Sequence, residues 1–353
     1  VDIKGRPKPV CLGWCENVPA VLVDDVHLVY QVSFRGVESI AAVRDKGVTL
    51  TPGSDRADYV ALIGASVSPG AYDTCLALGL FRLGASPAGK VTADVEGDTG
   101  ASGGDYVETT AGLVRRIATQ LLDDDSFDDP VEIDSDAFAL LEAQQPATVG
   151  YFTAEPVTAA AVLDALMLAI GSVWGVSLQG QLTVSRLQVP AGTPADTLMN
   201  RDLAATLRRQ GPIPSWRRRV GWRPMFAVQS SDELADSVSD ANRALYSEPY
   251  RYAVAETETA RRTHKRAREV TVPGFFADEA DAAAEAARQQ EMFGALRSIY
   301  TVPVNRGSFD NQLGSVIALE NLGRFGVADA QNFRLIGLAV DRARGSVVYE
   351  LWG

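Results

Sequence analysis

The spacing of apolar residues changes twice along this chain, and that change restricts the possible folds more than any other feature of the sequence. Near the start apolar and polar residues alternate, as they do from Val26 to Phe34, which is the period of a half-buried strand. Between residues 106 and 187 a helical spacing takes over and ends in a hairpin pattern. Alternation returns in the last third. We therefore predict a β-rich α+β fold, in which two β units flank a small α+β insertion.

The first β unit is predicted to span residues 1–98. Its strands are indicated by alternation and by β-rich runs with glycine and proline between them, and they cover residues 26–34, 37–43, 47–51 and 90–95. The chain begins at Val1 and not at a methionine. We therefore expect residues of the natural protein to precede it and this unit to be incomplete.

A connection rich in glycine, GDTGASGGD, leads into an insertion that is predicted to span residues 99–195. Three helices are indicated by the apolar spacing and by nearby proline and glycine, and they cover residues 106–122, 135–143 and 157–170. A hairpin follows at residues 173–187 and turns at Gln179-Gly180. Helices followed by a hairpin predict a small α+β unit.

The second β unit is predicted to span residues 196–353 and to contain one long helix, residues 277–297. This helix is rich in alanine, and an alanine face permits close approach of a sheet or of a partner subunit. Strands are predicted over residues 300–304, 315–319, 333–340 and 346–352, with the last two joined by the turn RARG. The final strand is apolar on both faces, which favours a closing strand of a barrel or of a buried sheet.

The composition excludes two classes of protein. Of the 353 residues 46% are hydrophobic and 22% are charged, which is typical of globular chains of two or three domains. No apolar run approaches the roughly 20 residues that a membrane span needs. The net charge of −12 argues against a general nucleic-acid-binding protein, whose surface is basic.

The segment from Gly84 to Lys90 matches the spacing of a phosphate-binding loop up to its lysine. Such a loop needs a serine or threonine directly after the lysine to bind Mg²⁺, and Val91 occupies that position. It also needs a helix to follow, whereas VTADV alternates like a strand. We therefore expect a β-turn here and not a nucleotide site.

The chain has three cysteines, Cys11, Cys15 and Cys75, and two histidines, His27 and His264. Three cysteines form no even disulfide framework, so we expect reduced or buried thiols. A structural zinc site needs four ligands, usually in close pairs. Nothing in the spacing supports cysteine–histidine catalysis, which needs both residues and an orienting group in one place. We assign no catalytic, cofactor or metal residue.

Two segments concentrate acidic residues: Asp94, Glu96 and Asp98, and then Asp123–Asp125 with Asp128 and Asp129. Neither follows the spacing of an EF-hand calcium loop. We predict that both are solvated and bind no metal.

Two segments concentrate basic residues: Trp216–Arg219 with Trp222 and Arg223, and Arg261–Arg268 with Lys265. Such mixtures of cations and aromatic rings bind single-stranded nucleic acid in some proteins. The first segment lies in a β-like run, where alternate arginines face water or a neighbouring acidic surface. Because the chain has 45 acidic residues, we favour pairing between subunits and keep nucleic-acid binding as the alternative.

Several phrases, taken in order, resemble a known family. They are KGRPKPVCLGW, NVPAVLVDD, LVYQV, GLFRLGASPAGKVTADVEGD and GRFGVADAQNFRLIGLAVDRARGSVVYELWG. Together they resemble the tail-tip hub proteins of long-tailed phages and gene transfer agents, which are related to contractile-tail hubs. The resemblance covers nearly the whole chain. It departs at Cys11 and Cys15, where the family has plain apolar or polar residues, and this leaves a local thiol function open.

The resemblance implies a non-enzymatic structural protein of the virion tail tip. Three copies would each supply two β-barrel-like hub domains, and the homotrimeric ring would adapt a six-fold tail tube to a three-fold central spike or fibre. The implied partners are the tail tube, distal tail proteins and the tape-measure protein, and DNA would pass through the channel without specific binding. The virion would assemble in the host cytoplasm. Two alternatives stay open, a tail-associated cell-wall hydrolase and a receptor-binding module.

Overall fold

A computed structural model of the chain describes residues 5–100, 104–122, 126–177, 179–305, 311–327, 330–341 and 346–353. The first third consists of short strands and one short helix. In chain order these are β1 (Val10–Pro19), β2 (Val21–Asp24), β3 (Val29–Gln31), β4 (Val37–Asp45), β5 (Val48–Thr49), β6 (Thr51–Asp55), α1 (Tyr59–Gly64), β7 (Ala71–Cys75), β8 (Leu80–Leu83) and β9 (Val91–Asp98).

The middle of the chain is mostly helical and ends in a hairpin. Its elements are α2 (Thr110–Gln120), α3 (Ser135–Gln144), β10 (Gly150–Thr153), α4 (Ala159–Ala169), β11 (Ser172–Val176) and β12 (Leu182–Arg186). The last third alternates strands with three helices. They are β13 (Asp196–Leu198), β14 (Arg208–Gln210), β15 (Ser215–Trp222), α5 (Asp240–Tyr246), β16 (Arg251–Glu256), α6 (Glu258–Thr263), β17 (Arg268–Phe276), α7 (Glu279–Phe293), β18 (Ile299–Val304), β19 (Val316–Leu319), β20 (Gln331–Asp341) and β21 (Ser346–Trp352).

Two five-stranded sheets share the first core. One has the order β10-β1-β9-β4-β5, and the other has the order β2-β3-β8-β7-β6. Tyr30, Tyr72 and Phe81 from the second sheet pack among valines and cysteines of the first. The two sheets therefore enclose this core between them, without a helix.

Strand β1 contributes to two cores, because it is buried on both faces. Cys11 and Cys15 point into the first core, and Leu12 lies in a second, larger core formed mainly by the middle of the chain. Gly13 makes this possible. Its φ of +66° bends the strand, and the carbonyl of Val149 accepts a hydrogen bond of 3.0 Å from the next residue, Trp14.

The second core joins the middle helices to part of the last third. It contains Leu113, Leu163 and Leu182 from the middle, together with Phe276 and Ala286 from β17 and α7. The three-stranded sheet β16-β15-β17 lies against α7. The helix predicted over residues 277–297 thus packs with the middle elements. The boundaries at residues 98 and 195 stay a prediction.

Strands β11 and β12 pair only with each other, and the other six strands form a sheet with the order β13-β19-β20-β21-β18-β14 and a core of its own. The predicted strands over residues 300–304, 315–319, 333–340 and 346–352 are confirmed, and the turn RARG lies outside the described residues. The final strand is central in its sheet, with Tyr349 and Leu351 fully buried. Within the described residues each sheet is open, so the β-rich α+β class is confirmed and a closed barrel is not formed.

The predicted strand over residues 26–34 is mostly wrong, since only β3 forms there. The carboxylate of Asp24 accepts hydrogen bonds from the backbone N–H groups of Val26 and His27, at 2.9 and 3.1 Å. Such a turn removes backbone donors from strand pairing. Leu28 follows with a φ of +56°, and Val26 is 80% exposed.

The helices are confirmed but begin or end inside their predicted ranges. The side chain of Thr109 accepts a bond from the N–H of Gly112, so α2 starts at residue 110 and not at 106. The side chain of Thr158 likewise caps α4, so this helix starts at residue 159 and not at 157. The alanine-rich helix ends at residue 293, before Gly294. Helix α3 and the hairpin of β11 and β12 lie where they were predicted.

We expect Gly13→Ala to destabilise the protein more than Gly70→Ala. A Cβ atom on Gly13 would lie 2.1 Å from the carbonyl oxygen of Val149, whereas one on Gly70 meets no atom within 4 Å. Both residues have positive φ, so strain of about 1–2 kcal/mol is common to both variants. The overlap at Gly13 adds about 1–3 kcal/mol. Urea denaturation measures both variants, and equal midpoints would contradict the role given to Gly13.

Candidate interaction surface

Helix α7 has one face that is buried inside the chain and one face that is exposed and suited to contact with another molecule. Its inner face, which includes Ala282 and Ala286, is buried against the sheet β16-β15-β17. Its outer face is exposed and carries four alanines at helical spacing. We call these the alanine face: Ala280, Ala283, Ala284 and Ala287.

The inner face of α7 is fixed by a buried carboxylate. Glu285 accepts hydrogen bonds from Arg186, from Arg288 at 2.6 and 2.8 Å, and from Gln289 at 2.7 Å. Gln290 donates to the carbonyl oxygen of Ser215 at 2.9 Å. The alanine face is therefore presented on a helix with little freedom to rotate.

The sheet beside α7 carries arginines on both sides. On its outer side Arg217 and Arg219 contact Glu269 at 3.3 and 3.4 Å, and the Arg219 guanidinium lies 4.3 Å from the centre of the Tyr252 ring. Arg218 points inward and donates to Gln289 at 2.9 Å. Burial lowers the pKa of Arg218 to about 10, against the opposing effect of Glu285. The predicted alternation of these arginines between the two sides of the strand is confirmed. Glu269, the acidic partner of Arg217 and Arg219, belongs to the same chain, and pairing of these arginines between subunits stays a prediction.

The second basic segment lies at the end of this sheet. The Arg261 guanidinium is 4.8 Å from the centre of the Trp216 ring, and Glu258 contacts Arg261 and Arg262 at 3.9 and 3.2 Å. Lys265, Arg266 and Arg268 are exposed. This end of the sheet is an exposed basic patch on an acidic protein.

The segment that resembles a phosphate-binding loop already binds a carboxylate of the chain. Asp45 accepts hydrogen bonds from the backbone N–H groups of Ala88 and Gly89, at 2.7 and 2.9 Å. Strand β9 follows Lys90, as predicted, in place of the helix that a phosphate would need. The backbone donors of this loop are thus used to hold Asp45 and the turn after β4.

The three thiols are free and buried, as predicted. Burial raises the pKa of Cys11, and a hydrogen bond with Cys15 raises it further. Cys75 lies in a separate small core, where burial also raises its pKa. A raised pKa disfavours the thiolate, which is the reactive form.

The acidic residues at the end of β9 are not solvated, and this prediction is wrong for two of them. Asp94 and Asp98 are only 7% and 2% exposed. Asp94 accepts two hydrogen bonds from Arg44, one of 2.6 Å, and another of 2.9 Å from the N–H of Asn17. Asp98 lies 3.7 Å from Arg116. These arginines come from distant parts of the chain, so the local sequence gave no sign of the pairing.

The second acidic segment is exposed to solvent, as predicted, where it is described. Asp128 and Asp129 are largely exposed, and Asp129 contacts Arg115 at 2.5 Å. Residues 123–125 lie outside the described part. Among the described residues no group of three or more His, Cys, Asp or Glu side chains is arranged to hold a metal ion. None of the described helices combines the length and the apolar character that crossing a membrane requires.

An ion pair that the sequence did not predict joins Glu16 and Arg223. Arg223 donates to both carboxylate oxygens of Glu16, one at 2.6 Å, and ties the segment after β15 to β1. Asn17 donates from its amide to the carbonyl oxygen of Ala227 at 2.7 Å in the same place. Glu16 itself was the available signal, because a charged residue in the middle of a buried strand needs a partner.

No protein-family model matches this chain, and no curated protein sequence matches it. The solved structures that overlap with part of it include two tail proteins. A tail protein from Neisseria meningitidis MC58 is 13% identical, with 76% of each chain covered and a TM-score of 0.39. The 43 kDa tail protein of prophage MuSo2 from Shewanella oneidensis is 12% identical, with 57% of this chain and 54% of that chain covered and a TM-score of 0.30. Both TM-scores are too low to establish a common fold.

We expect Asp94→Ala to lower the free energy of unfolding by about 3–5 kcal/mol, because it removes the carboxylate that is hydrogen-bonded to the buried Arg44. Asp129→Ala is the matched control, since Asp129 pairs with an arginine at the surface. Its expected loss is about 0–1 kcal/mol. Thermal and urea unfolding measure both variants. Similar losses for the two would contradict a structural role for Asp94.

Proposed function

We propose that this chain is a structural subunit of a phage tail tip and that it acts by assembling into a homotrimeric ring. The ordered phrases that resemble tail-tip hub proteins indicate the family. The observation that carries the assembly role is the alanine face of α7. It is an exposed apolar surface on a helix whose opposite side is already buried in the chain's own core.

Alanines suit a contact between subunits for a physical reason. Their side chains are small, so the backbone of a partner can approach the helix closely, and they lose no side-chain entropy on burial. Ala280, Ala283, Ala284 and Ala287 form one continuous stripe. We infer that the stripe of one copy packs on a β surface of the next. Such a head-to-tail contact closes into a ring when the rotation between copies is a third of a turn.

The ring would place the β-rich ends of each chain around a central axis and join a six-fold tail tube to a three-fold spike or fibre. The tail tube, distal tail proteins and the tape-measure protein are the proposed neighbours in the virion. A net charge of −12 would keep DNA from adhering as it passes. The exposed basic patch at Lys265, Arg266 and Arg268 would then face away from the channel.

A cell-wall hydrolase is the main alternative, and it needs paired carboxylates or a cysteine beside a histidine in a cleft. Cys11 and Cys15 are fully buried in the first core, while His27 lies in the turn after β2 and contacts Asp24 at 2.7 Å. Asp94 and Asp98 are held by arginines. Turnover of purified peptidoglycan by the chain would favour this alternative.

We expect Ala283→Arg to weaken self-association at least about tenfold, which corresponds to about 1.4 kcal/mol. The arginine would place a long charged side chain inside a close contact, where its desolvation is unfavourable. Ala244→Arg, on the exposed side of α5, is the matched control and should associate like the unchanged chain. Sedimentation equilibrium over a range of protein concentrations measures all three.

Two outcomes would contradict the proposal. One is an unchanged chain that stays monomeric at the highest concentration tested. The other is a trimer that Ala283→Arg and Ala244→Arg affect equally, which would leave the trimer in place but remove the alanine face from its interface. Circular dichroism should show the same helix content in all three proteins.

A further inference from the structure

Strand β16 leaves one side of its backbone without a partner. It ends the sheet β16-β15-β17 and pairs with β15 in an unbroken antiparallel register. The N–H of Thr257 donates to the carbonyl oxygen of Trp216 at 2.8 Å. Since bonded and non-bonded pairs alternate along antiparallel strands, the N–H and C=O groups of Tyr252, Val254 and Glu256 point away from β15. No hydrogen bond from a described residue reaches these groups.

This edge is also exposed and suited to strand pairing. Val254 is 44% exposed, and Glu256 is exposed beside it. Tyrosine and valine favour strands, and β16 contains neither proline nor glycine over its six residues. A regular edge of this kind is a template on which another strand can add.

Most other sheet edges in the described part of the chain are protected against such addition. Strands β5, β13 and β14 have only two or three residues. The register shifts along β2, β6 and β17, and the last two also contain a proline. Isolated bridges occupy the starts of β10 and β12, between Val149 and Phe276 and between Ile133 and Leu182. Strand β11 is regular but contains Gly175, and glycine weakens a strand. Strand β16 has none of these features, which normally prevent unwanted pairing.

The open edge of β16 adjoins the alanine face of α7. This helix lies against β15 and β16 more than against β17. Gln290 donates to the hydroxyl of Thr257, directly after β16, at 3.1 Å. Ala283 and Ala287 lie on the same stripe of the helix as Gln290, seven and three residues before it. The alanine face therefore begins beside the end of β16.

A strand added to β16 would lie over this flank of α7. Neighbouring strands are about 4.8 Å apart, and a helix with its side chains is about 10 Å across. A helix beneath β15 and β16 therefore reaches part of the way beneath a third strand. Alanine side chains leave room for the backbone of that strand, whereas longer side chains would hold it away.

A second copy of the chain is the partner that this arrangement favours. In the proposed ring a β surface of the next copy covers the alanine face. A β surface placed there brings one of its own edges to within about one strand spacing of β16. The same neighbour then covers both the apolar stripe of α7 and the free backbone groups of β16.

We propose that neighbouring copies are joined by strand addition, in which an edge strand of the next copy pairs with β16 and extends the sheet β16-β15-β17 over the alanine face. The inference rests on the proposed ring and names the bonds that hold it together. Tyr252, Val254 and Glu256 each offer one backbone donor and one acceptor. Because backbone hydrogen bonds are directional, this contact also fixes the rotation between neighbouring copies.

Hydrogen exchange in the unchanged chain tests the pairing directly. In dilute, monomeric protein the amides of Tyr252, Val254 and Glu256 should exchange fast, because they point away from β15, while those of Ala253 and Ala255 are protected by it. At concentrations where copies associate, the first three amides should exchange at least tenfold more slowly. Mass spectrometry of peptides that cover β16, at both concentrations, measures the change.

Val254→Pro should weaken self-association at least tenfold, because it removes an N–H group that points away from β15 and leaves the pairing with β15 in place. Val254→Thr is the matched control. It keeps the N–H group and a branched side chain of similar size, so it should associate like the unchanged chain. Sedimentation equilibrium measures all three proteins, and circular dichroism should show the same secondary structure in each.

Three results would overturn the inference: fast exchange at Tyr252, Val254 and Glu256 in the associated protein, equal association of the Val254→Pro and unchanged chains, or equal weakening by Val254→Pro and Val254→Thr. The sedimentation data also separate this inference from the proposed ring. Trimers that Val254→Pro leaves intact keep the ring and reject strand addition. Dimers that Val254→Pro dissociates keep strand addition and reject the ring, and a chain that stays monomeric rejects both.

Discussion

The buried carboxylate of Glu285 joins the parts of the molecule that hold α7, and with it the alanine face, in place. It accepts hydrogen bonds from Arg186 at the end of β12 and from Arg288 on α7, and Arg288 also donates to the carbonyl oxygens of Ile170 and Leu187. One carboxylate thus ties the hairpin, the end of α4 and the alanine-rich helix together. Since charges in such a network must be paired to be tolerated, removing Glu285 would leave two guanidinium groups without compensation.

Much of the local structure followed from the sequence, because it is set by neighbouring residues. Apolar spacing located α3 and α4, and alternation located β4, β9 and the strands of the last sheet. The predicted element bounds were wrong where a polar side chain accepts a hydrogen bond from a nearby backbone N–H group, as Asp24 does after β2 and Thr109 does before α2. Such a hydrogen bond leaves almost no trace in the spacing of apolar residues.

Pairing over long distances was not visible in the sequence at all. Asp94 is buried because Arg44 reaches it from the neighbouring strand β4, although 50 positions separate the two residues in the chain. The alanine-rich helix was predicted, with its close approach to a sheet or a partner. The structure shows that one face packs on the chain's own sheet and that the other stays exposed, so the helix has surfaces for both.

The central claim is that identical copies of this chain close into a ring around an axis. Electron microscopy of the purified protein at high concentration, with classification of single particles by symmetry, tests it most directly. We predict particles of three-fold symmetry with an open centre and with α7 at the contact between neighbouring copies. A population of single globular particles without symmetry, at every concentration examined, would contradict the account.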